Sequence, residues 1–151
     1  RLVEDSVQGD HLHAIVEAEG PEALGRGMRS LGARFARAVN RALRRSGPVV
    51  RERYHLVVLR TPTQVRNALR YVLLNARRHW AKRRGSKALP GPVRLDPASS
   101  ARWFRWWKSG SVGAEEAAKA VDPPAVRAPR TWLLSVGWRR LGLLDPAEVP
   151  G

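Results

Sequence analysis

Apolar and polar residues alternate along His11 to Ala18, which predicts a β-strand, and Leu2 to Val7 is a second short strand candidate. The turn-forming Gln8-Gly9-Asp10 lies between the two stretches, so we expect a β-hairpin. The second strand divides into two alternate sets of side chains: Leu12, Ala14, Val16 and Ala18 on one face, and His11, His13, Ile15 and Glu17 on the other. We expect Leu12 to anchor this strand in the core, which leaves both imidazoles together on the opposite face.

A helical period follows between Gly20-Pro21 and Gly47-Pro48. Apolar residues recur there every three or four positions, which predicts an amphipathic helix: Leu24, Met28, Leu31, Phe35, Val39 and Leu43. Its other faces carry seven arginines opposed by Glu22: Arg26, Arg29, Arg34, Arg37, Arg41, Arg44 and Arg45. They are either a solvated face or an anion-binding surface, and the excess of one charge favours the second interpretation.

A third strand is predicted at Tyr54 to Leu59, and a second helix from about Pro62 to about Trp80. Thr61 and Gln64 match a capping box, with Pro62 at the first helical position. The predicted apolar face is Val65, Leu69, Val72, Leu73 and Ala76. On the polar side Asn67, Tyr71 and Asn75 follow one another at intervals of four, on one line along the axis.

From Lys82 the chain becomes basic and rich in Gly and Pro, which predicts a linker and then an irregular tail with short helices. Asp96-Pro97 could cap one short helix, Gly110 to Pro129 holds one weak helix, and Thr131 to Leu141 forms a last one closed by Gly142. Five of the six tryptophans lie in this tail: Trp103, Trp106, Trp107, Trp132 and Trp138. The first three, which are interleaved with Arg102, Arg105 and Lys108, either stack on nucleobases or pack the tail onto the core, and packing is favoured because large aromatics usually pack.

The net charge of the chain indicates the class of partner that it binds. The chain has 28 Lys and Arg against 13 Asp and Glu, a formal net charge of +15. This indicates a polyanion, either nucleic acid or an anionic membrane surface, although a basic protein without such a partner remains an alternative. No apolar run approaches the roughly 20 residues of a membrane span, so we expect no membrane insertion. The absence of cysteine excludes disulfides, thiolate metal sites and a Cys nucleophile, and fits a cytoplasmic location.

Two motifs could carry chemistry. His11 and His13 would lie on one strand face, close enough to share a divalent ion, although a chance surface pair is the alternative. Tyr71 and Asn75 lie one helical turn apart, where a phenol could act as nucleophile and an amide oxygen could bind a hard cation. Taken alone, the His pair is more simply explained as a chance surface pair. Tyr71 alone would lie at the rim of the core, and Asn75 alone would be solvated.

Taken in order along the chain, the motifs resemble the single-tyrosine HUH transposases, in particular the REP-associated tyrosine transposases. The resemblance covers roughly residues 2 to 80 and lies in GDHLHAIVEA, ARFARAVNRALRRSG, VRERYHLVVLR and RYVLLNARRH. It departs from the family at Ala76, where a Pro often follows the Asn, and at Asp10, where an Asn is frequent. The resemblance implies Tyr71 as catalytic nucleophile, His11, His13 and Asn75 as metal ligands, and Mg²⁺ or Mn²⁺ as the ion.

The same resemblance implies a metal-dependent endonuclease and strand transferase that acts on single-stranded or hairpin DNA through a 5′-phosphotyrosine. The implied fold is α+β: a ferredoxin-like antiparallel sheet with helices on one face. The family's first strand and helix precede the hairpin, whereas this chain starts at the hairpin with Arg1, so we expect either a fragment or a domain that has lost them. Residues 1–81 would form the transposase domain and 82–151 an extension. A monomer and a homodimer are both compatible with the resemblance.

Candidate nucleic-acid contacts are the seven arginines of the first helix and four basic residues near the end of the second: Arg78, Lys82, Arg83 and Arg84, with His79 as a further possible phosphate contact. Tyr54 is the rival nucleophile and His55 a rival ligand, but Tyr54 has no Asn four residues on. Two rival functions remain: a decayed relative that binds DNA without cutting it, and a basic RNA-binding protein.

Overall fold

A computed structural model describes residues 1–50, 53–85 and 92–150. The chain divides into two compact units, one formed by Arg1–Glu17 with Leu59–Gly151 and the other by Ala18–Val58. Of the linker predicted after Lys82, residues 86–91 lie outside the described residues. Within the described part of the chain, helices accompany a two-stranded antiparallel sheet, so the mixed α+β class is confirmed. The ferredoxin-like arrangement stays a prediction.

The predicted hairpin is confirmed in the first unit. Strand β1 (Leu2–Val7) pairs antiparallel with β2 (Leu12–Val16), with Ser6 opposite His13. The backbone N–H of Gln8 donates to the backbone carbonyl of His11 at 2.8 Å and closes the turn. His11 therefore lies immediately before β2, and His13 lies within it.

The expected role of Leu12 is wrong. Leu12 is only half-buried, whereas Ile15 is 5% exposed and belongs to the main hydrophobic cluster. Alternation places Ile15 on the same face as the two histidines. The face that carries the histidines is thus the one that packs on the core. Burial depends on which face of the strand meets a helix, and not on how many apolar residues each face carries.

The second predicted helix begins as expected and is then interrupted. Helix α2 (Pro62–Leu73) opens with the Thr61–Gln64 capping box, and its buried residues are Val65, Leu69, Val72 and Leu73. Leu74, at φ −114° and ψ 19°, breaks the helix, and α3 (Asn75–Arg84) follows. The predicted continuous helix to Trp80 is therefore two helices. Tyr71 therefore lies in α2 and Asn75 in α3, and the two residues are not on one continuous helix.

The third strand predicted at Tyr54 to Leu59 is wrong. Residues 53–60 contain no strand, and Leu56, Val57 and Val58 are between 51% and 64% exposed. A strand is stabilised by ladder hydrogen bonds to a neighbour, which the alternation of a single stretch cannot supply.

The second unit contains α1 (Pro21–Ala42), which begins at Pro21 as predicted and ends five residues before Gly47. No residue of α1 is buried, and its apolar stripe is half-exposed. All seven predicted anion-binding arginines are exposed. None of them forms an ion pair with any residue that the structure describes.

The tail joins the core of the first unit. Its described elements are a 3₁₀ turn (Ser100–Trp103), α4 (Val112–Ala118), α5 (Trp132–Ser135) and a second 3₁₀ turn (Gly137–Leu141) that ends at Gly142. Trp107 is 3% and Trp138 0% exposed, in one cluster with Val65 and Leu69 of α2. Packing is therefore the role of these two tryptophans, as was favoured from the sequence for Trp107.

The tail also covers the outer edge of β1. The Val7 amide donates to the Ala98 carbonyl at 2.8 Å, and the Arg127 amide donates to the Leu2 carbonyl at 2.9 Å. Between them, the Asp5 amide donates to Ser100 Oγ at 2.9 Å. These bonds satisfy backbone groups that a sheet edge otherwise leaves free.

Candidate active site

Four rings from three elements meet in the first unit. The imidazoles of His11 and His13 lie edge to face with centroids 4.6 Å apart. The His13 ring lies 4.9 Å from the Tyr71 ring at 77°, and the His11 ring lies 5.9 Å from that of His79. The hairpin supplies the first two rings, the last turn of α2 supplies Tyr71, and α3 supplies His79. We call these four residues the ring cluster.

Tyr71 is half-buried at the edge of the core, where it packs against the main hydrophobic cluster. The Arg78 guanidinium lies 5.2 Å from the centroid of its ring. A cation at this position is attracted by the electron-rich face of the aromatic ring. The predicted nucleophile and one predicted DNA-binding residue are thus in contact.

Asn75 is 0% exposed and opens α3 directly after the break at Leu74. Neither its Oδ1 nor its Nδ2 has a hydrogen-bond partner among the described residues. A buried amide without partners costs about 1–3 kcal/mol, so this side chain is not accounted for by the hydrogen bonds among the described residues. No described contact joins Asn75 to the ring cluster, so its role as third ligand stays a prediction.

His79 is the residue whose place in the cluster was underestimated from the sequence. It continues the spacing of four that begins at Tyr71 and Asn75, which is the signal that could have found it. Its Nε2 is buried and has no partner among the described residues, as is also true of His13 Nε2. Two ring nitrogens are therefore available to an additional group.

The electrostatics favour neutral imidazole at the centre of the cluster. Burial lowers the pKa of His13, and the nearby His11, His79 and Arg78 lower it further. The exposed Asp10 accepts a hydrogen bond from His11 Nδ1 at 2.5 Å, and this bond is the main reason that the pKa of Asp10 is lowered. Neutral imidazole is the form that binds a metal, while Asp10 fixes the orientation of the His11 ring.

The donor atoms suit a divalent ion in chemical type. The unpartnered atoms are Nε2 of His13, Nε2 of His79 and Oδ1 of Asn75. Mn²⁺ accepts imidazole nitrogen and amide oxygen as ligands, and the amide oxygen also suits Mg²⁺. Over residues 1–50, 53–85 and 92–150, however, no three or more His, Cys, Asp or Glu side chains are grouped to hold a metal ion. The fit therefore depends on the amide of Asn75 as well as on the histidines.

A cleft of about 510 Å³ adjoins the ring cluster. Its lining includes Gln8, Asp10, His11, His79, Trp80 and Arg83. Trp80 is 49% exposed, with the guanidiniums of Arg83 and Arg84 at 5.7 and 5.3 Å from its ring. Lys82, Arg83 and Arg84 are all exposed at the end of α3. Sequence reasoning sought stacking aromatics in the tail and missed Trp80.

The rival residues lie elsewhere in the chain. Tyr54 is 47% exposed in the irregular segment 53–60, and the neighbouring His55 is exposed too. Both belong to the second unit, whereas the ring cluster belongs to the first.

Comparison with known proteins identifies no relative. No protein-family model, no curated protein and no solved structure matches the chain. Among the described residues, no helix is both long and apolar enough to cross a membrane.

Proposed function

We propose that the chain is a metal-dependent single-stranded DNA endonuclease and strand transferase in which Tyr71 is the nucleophile. The observation that carries this proposal is the 4.9 Å separation of the Tyr71 and His13 rings, with His11 a further 4.6 Å from His13. A phenol beside paired imidazoles is the arrangement that the sequence motifs predicted.

His11, His13 and Asn75 would hold a Mg²⁺ or Mn²⁺ ion, and His79 is a fourth candidate. Such an ion, when bound, supplies Lewis-acid polarisation of the scissile phosphate. Tyr71 gives up its phenolic proton to solvent water, and its oxygen forms a bond to phosphorus. The bond from phosphorus to the 3′ oxygen breaks, and that oxygen takes a proton from solvent water and leaves as a 3′-hydroxyl. The product is a 5′-phosphotyrosine, which a second 3′-hydroxyl can attack in the reverse direction.

Arg78 supports the attack. Its positive charge faces the Tyr71 ring at 5.2 Å and stabilises the charge that develops on the phenolic oxygen. The substrate is single-stranded or hairpin DNA, because a flexible strand can bring its phosphate to a tyrosine on a helix. The net charge of +15 and the exposed arginines of α1 support a polyanionic substrate.

Those arginines equally support a second candidate function, a protein that binds DNA without cutting it. One assay separates the two functions. The protein is incubated with Mn²⁺ and labelled hairpin DNA, and covalent adducts are resolved on a denaturing gel. Tyr71→Phe should abolish the adduct.

The chain offers a matched control, because it contains only one other tyrosine. Tyr54→Phe should leave the adduct at the wild-type level. An adduct that persists in Tyr71→Phe and disappears in Tyr54→Phe would refute the assignment. Binding without any adduct in wild type would favour the second candidate.

A further inference from the structure

The cleft beside the ring cluster has the size of a small-molecule site. Its volume of about 510 Å³ lies within the usual range of roughly 300–1,000 Å³ for ligand pockets. Because His11 and His79 line the cleft and also belong to the ring cluster, an occupant of the cleft would lie directly beside whatever the cluster binds. The two sites therefore suit adjacent parts of one ligand.

We propose that this cleft binds one unpaired nucleobase stacked on the indole of Trp80, while the phosphate next to that base lies at the ring cluster. The proposal deepens the proposed function, on which it rests for the identity of the polymer. It assigns Trp80 as a binding residue that positions the strand before Tyr71 acts.

The exposure of Trp80 supports stacking. Trp107 and Trp138 are buried in the core, whereas 49% of Trp80 remains accessible at the wall of a cleft. An accessible indole offers a flat face on which any base can stack. The guanidiniums of Arg83 and Arg84 lie within 5.7 Å of the ring centroid, where they can neutralise the phosphates that flank a stacked base.

The charges around the cleft distinguish a base from a phosphate as its occupant. Asp10 and Asp96 line the cleft, and Asp10 accepts a hydrogen bond from His11 Nδ1. Carboxylates repel a phosphate but accept hydrogen bonds from the N–H groups of a base edge. The side-chain amide of Gln8 lines the same wall. Its Nε2 already donates to Ser6 Oγ at 2.6 Å and to Asp96 Oδ2 at 3.4 Å, which leaves its carbonyl oxygen to accept a hydrogen bond from a base. The phosphate is thereby directed to the imidazoles and the base to the cleft.

The test is equilibrium binding without catalysis. The Tyr71→Phe protein, in EDTA, is titrated into a labelled single-stranded oligonucleotide of mixed sequence and into an abasic oligonucleotide of equal length. Fluorescence anisotropy gives the two dissociation constants. Trp80→Ala should weaken binding of the base-containing strand about tenfold and leave the abasic strand unchanged, since stacking contributes about that much per base. Trp80→Phe, which keeps an aromatic face, should recover most of the affinity.

Trp132→Ala is the matched control. Trp132 is 50% exposed and has the Arg140 guanidinium at 5.2 Å from its ring, but it is not among the residues that line the cleft. It should change neither dissociation constant. A circular dichroism spectrum of each variant serves as the check that the variant is folded.

Three outcomes would overturn the proposal: equal affinity of the parent protein for both strands, no effect of Trp80→Ala, or an equal loss for both strands. Its failure is distinguishable from failure of the proposed function. A Trp80-dependent preference for bases without any covalent adduct in the wild type refutes the nuclease alone. An adduct in a protein with no such preference refutes the base-binding cleft alone.

Discussion

The His13 imidazole lies edge-on to the Tyr71 ring, with centroids 4.9 Å apart and planes inclined by 77°. The first ring comes from β2 and the second from α2, and the whole second unit lies between these two elements along the chain. A contact of this kind depends on tertiary structure, since neither element could place the two rings together alone. The contact between His13 and Tyr71 makes the ring cluster the first set of residues to test by mutagenesis.

Replacing both His11 and His13 with Ala should abolish the dependence of adduct formation on Mn²⁺ concentration and lower adduct yield by at least about a hundredfold, as expected for loss of metal ligands. The measurement is adduct yield across a Mn²⁺ titration. His55→Ala, at an exposed position in the irregular segment 53–60, is the control and should behave as wild type. Cleavage by the double variant that still responds to Mn²⁺ would count against these two ligands.

Asn75→Leu should separate stability from activity. The amide of Asn75 is buried without partners among the described residues, so an apolar side chain of similar size should leave the free energy of unfolding unchanged or raise it by about 1 kcal/mol. Adduct formation should be lost. Urea unfolding without metal measures the first effect, and the exposed Asn67→Leu in α2 controls for helix propensity. A loss of more than about 2 kcal/mol would mean that the amide is satisfied within the fold.

Glu4 should make the protein less stable as pH rises. Burial is the main cause that raises its pKa from 4.5 to about 8, and Ser100 Oγ donates a hydrogen bond to it at 2.6 Å. Between pH 4.5 and pH 8 the folded protein keeps the proton while the unfolded chain loses it. The stabilisation from this group is therefore complete below pH 4.5 and is lost progressively up to about pH 8.

Glu4→Gln should remove the pH-dependent part of the stability that comes from Glu4, because the amide of Gln does not titrate. The measurement is the free energy of unfolding in urea from about pH 4.5 to about pH 8.5 for both proteins. The difference between the two curves should grow by several kcal/mol across this window, a scale set by about 1.4 kcal/mol for each unit of pKa. The exposed Glu22→Gln should run parallel to wild type. Parallel curves for Glu4→Gln would contradict a buried, protonated Glu4.

The α1 arginines should set the salt dependence of DNA binding. Replacing Arg37 and Arg41 with Gln should reduce the slope of log K against log salt concentration by about 0.7 for each DNA phosphate that is no longer neutralised. Anisotropy titrations at several KCl concentrations give the slope. Arg102→Gln is the control, since Arg102 is already paired with Asp122 at 3.0 Å. An unchanged slope in the α1 double variant would exclude this helix from the DNA interface.

Local signals were predicted well from the sequence and non-local ones were not. The Thr61–Gln64 capping box and the hairpin turn depend on neighbouring residues, and both were found where expected. The segment Tyr54 to Leu59 has the composition of a strand, but strand formation requires a partner that the segment does not encode. The choice between the Leu12 and Ile15 faces failed for a related reason, because α2 decides which face is covered.

The site shows the same division. Alternation correctly indicated that the His11 and His13 rings would lie together. The break at Leu74 has no Gly or Pro to signal it, so the separation of Tyr71 and Asn75 into two helices was not foreseen. Trp80 was overlooked because the other tryptophans cluster in the tail, although those at 107 and 138 are used to build the core.

The hydrogen bonds from the tail to the outer edge of β1 affect how the protein can be shortened. A chain truncated after residue 81 would lose the partners of the Asp5 and Val7 amides and would uncover Val65 and Leu69 in the cluster that Trp138 fills. Such a chain would carry a free strand edge beside an exposed apolar surface, the combination that promotes self-association. Residues 92–150 therefore shield the sheet edge and part of the core, and a minimal folded fragment would have to include them.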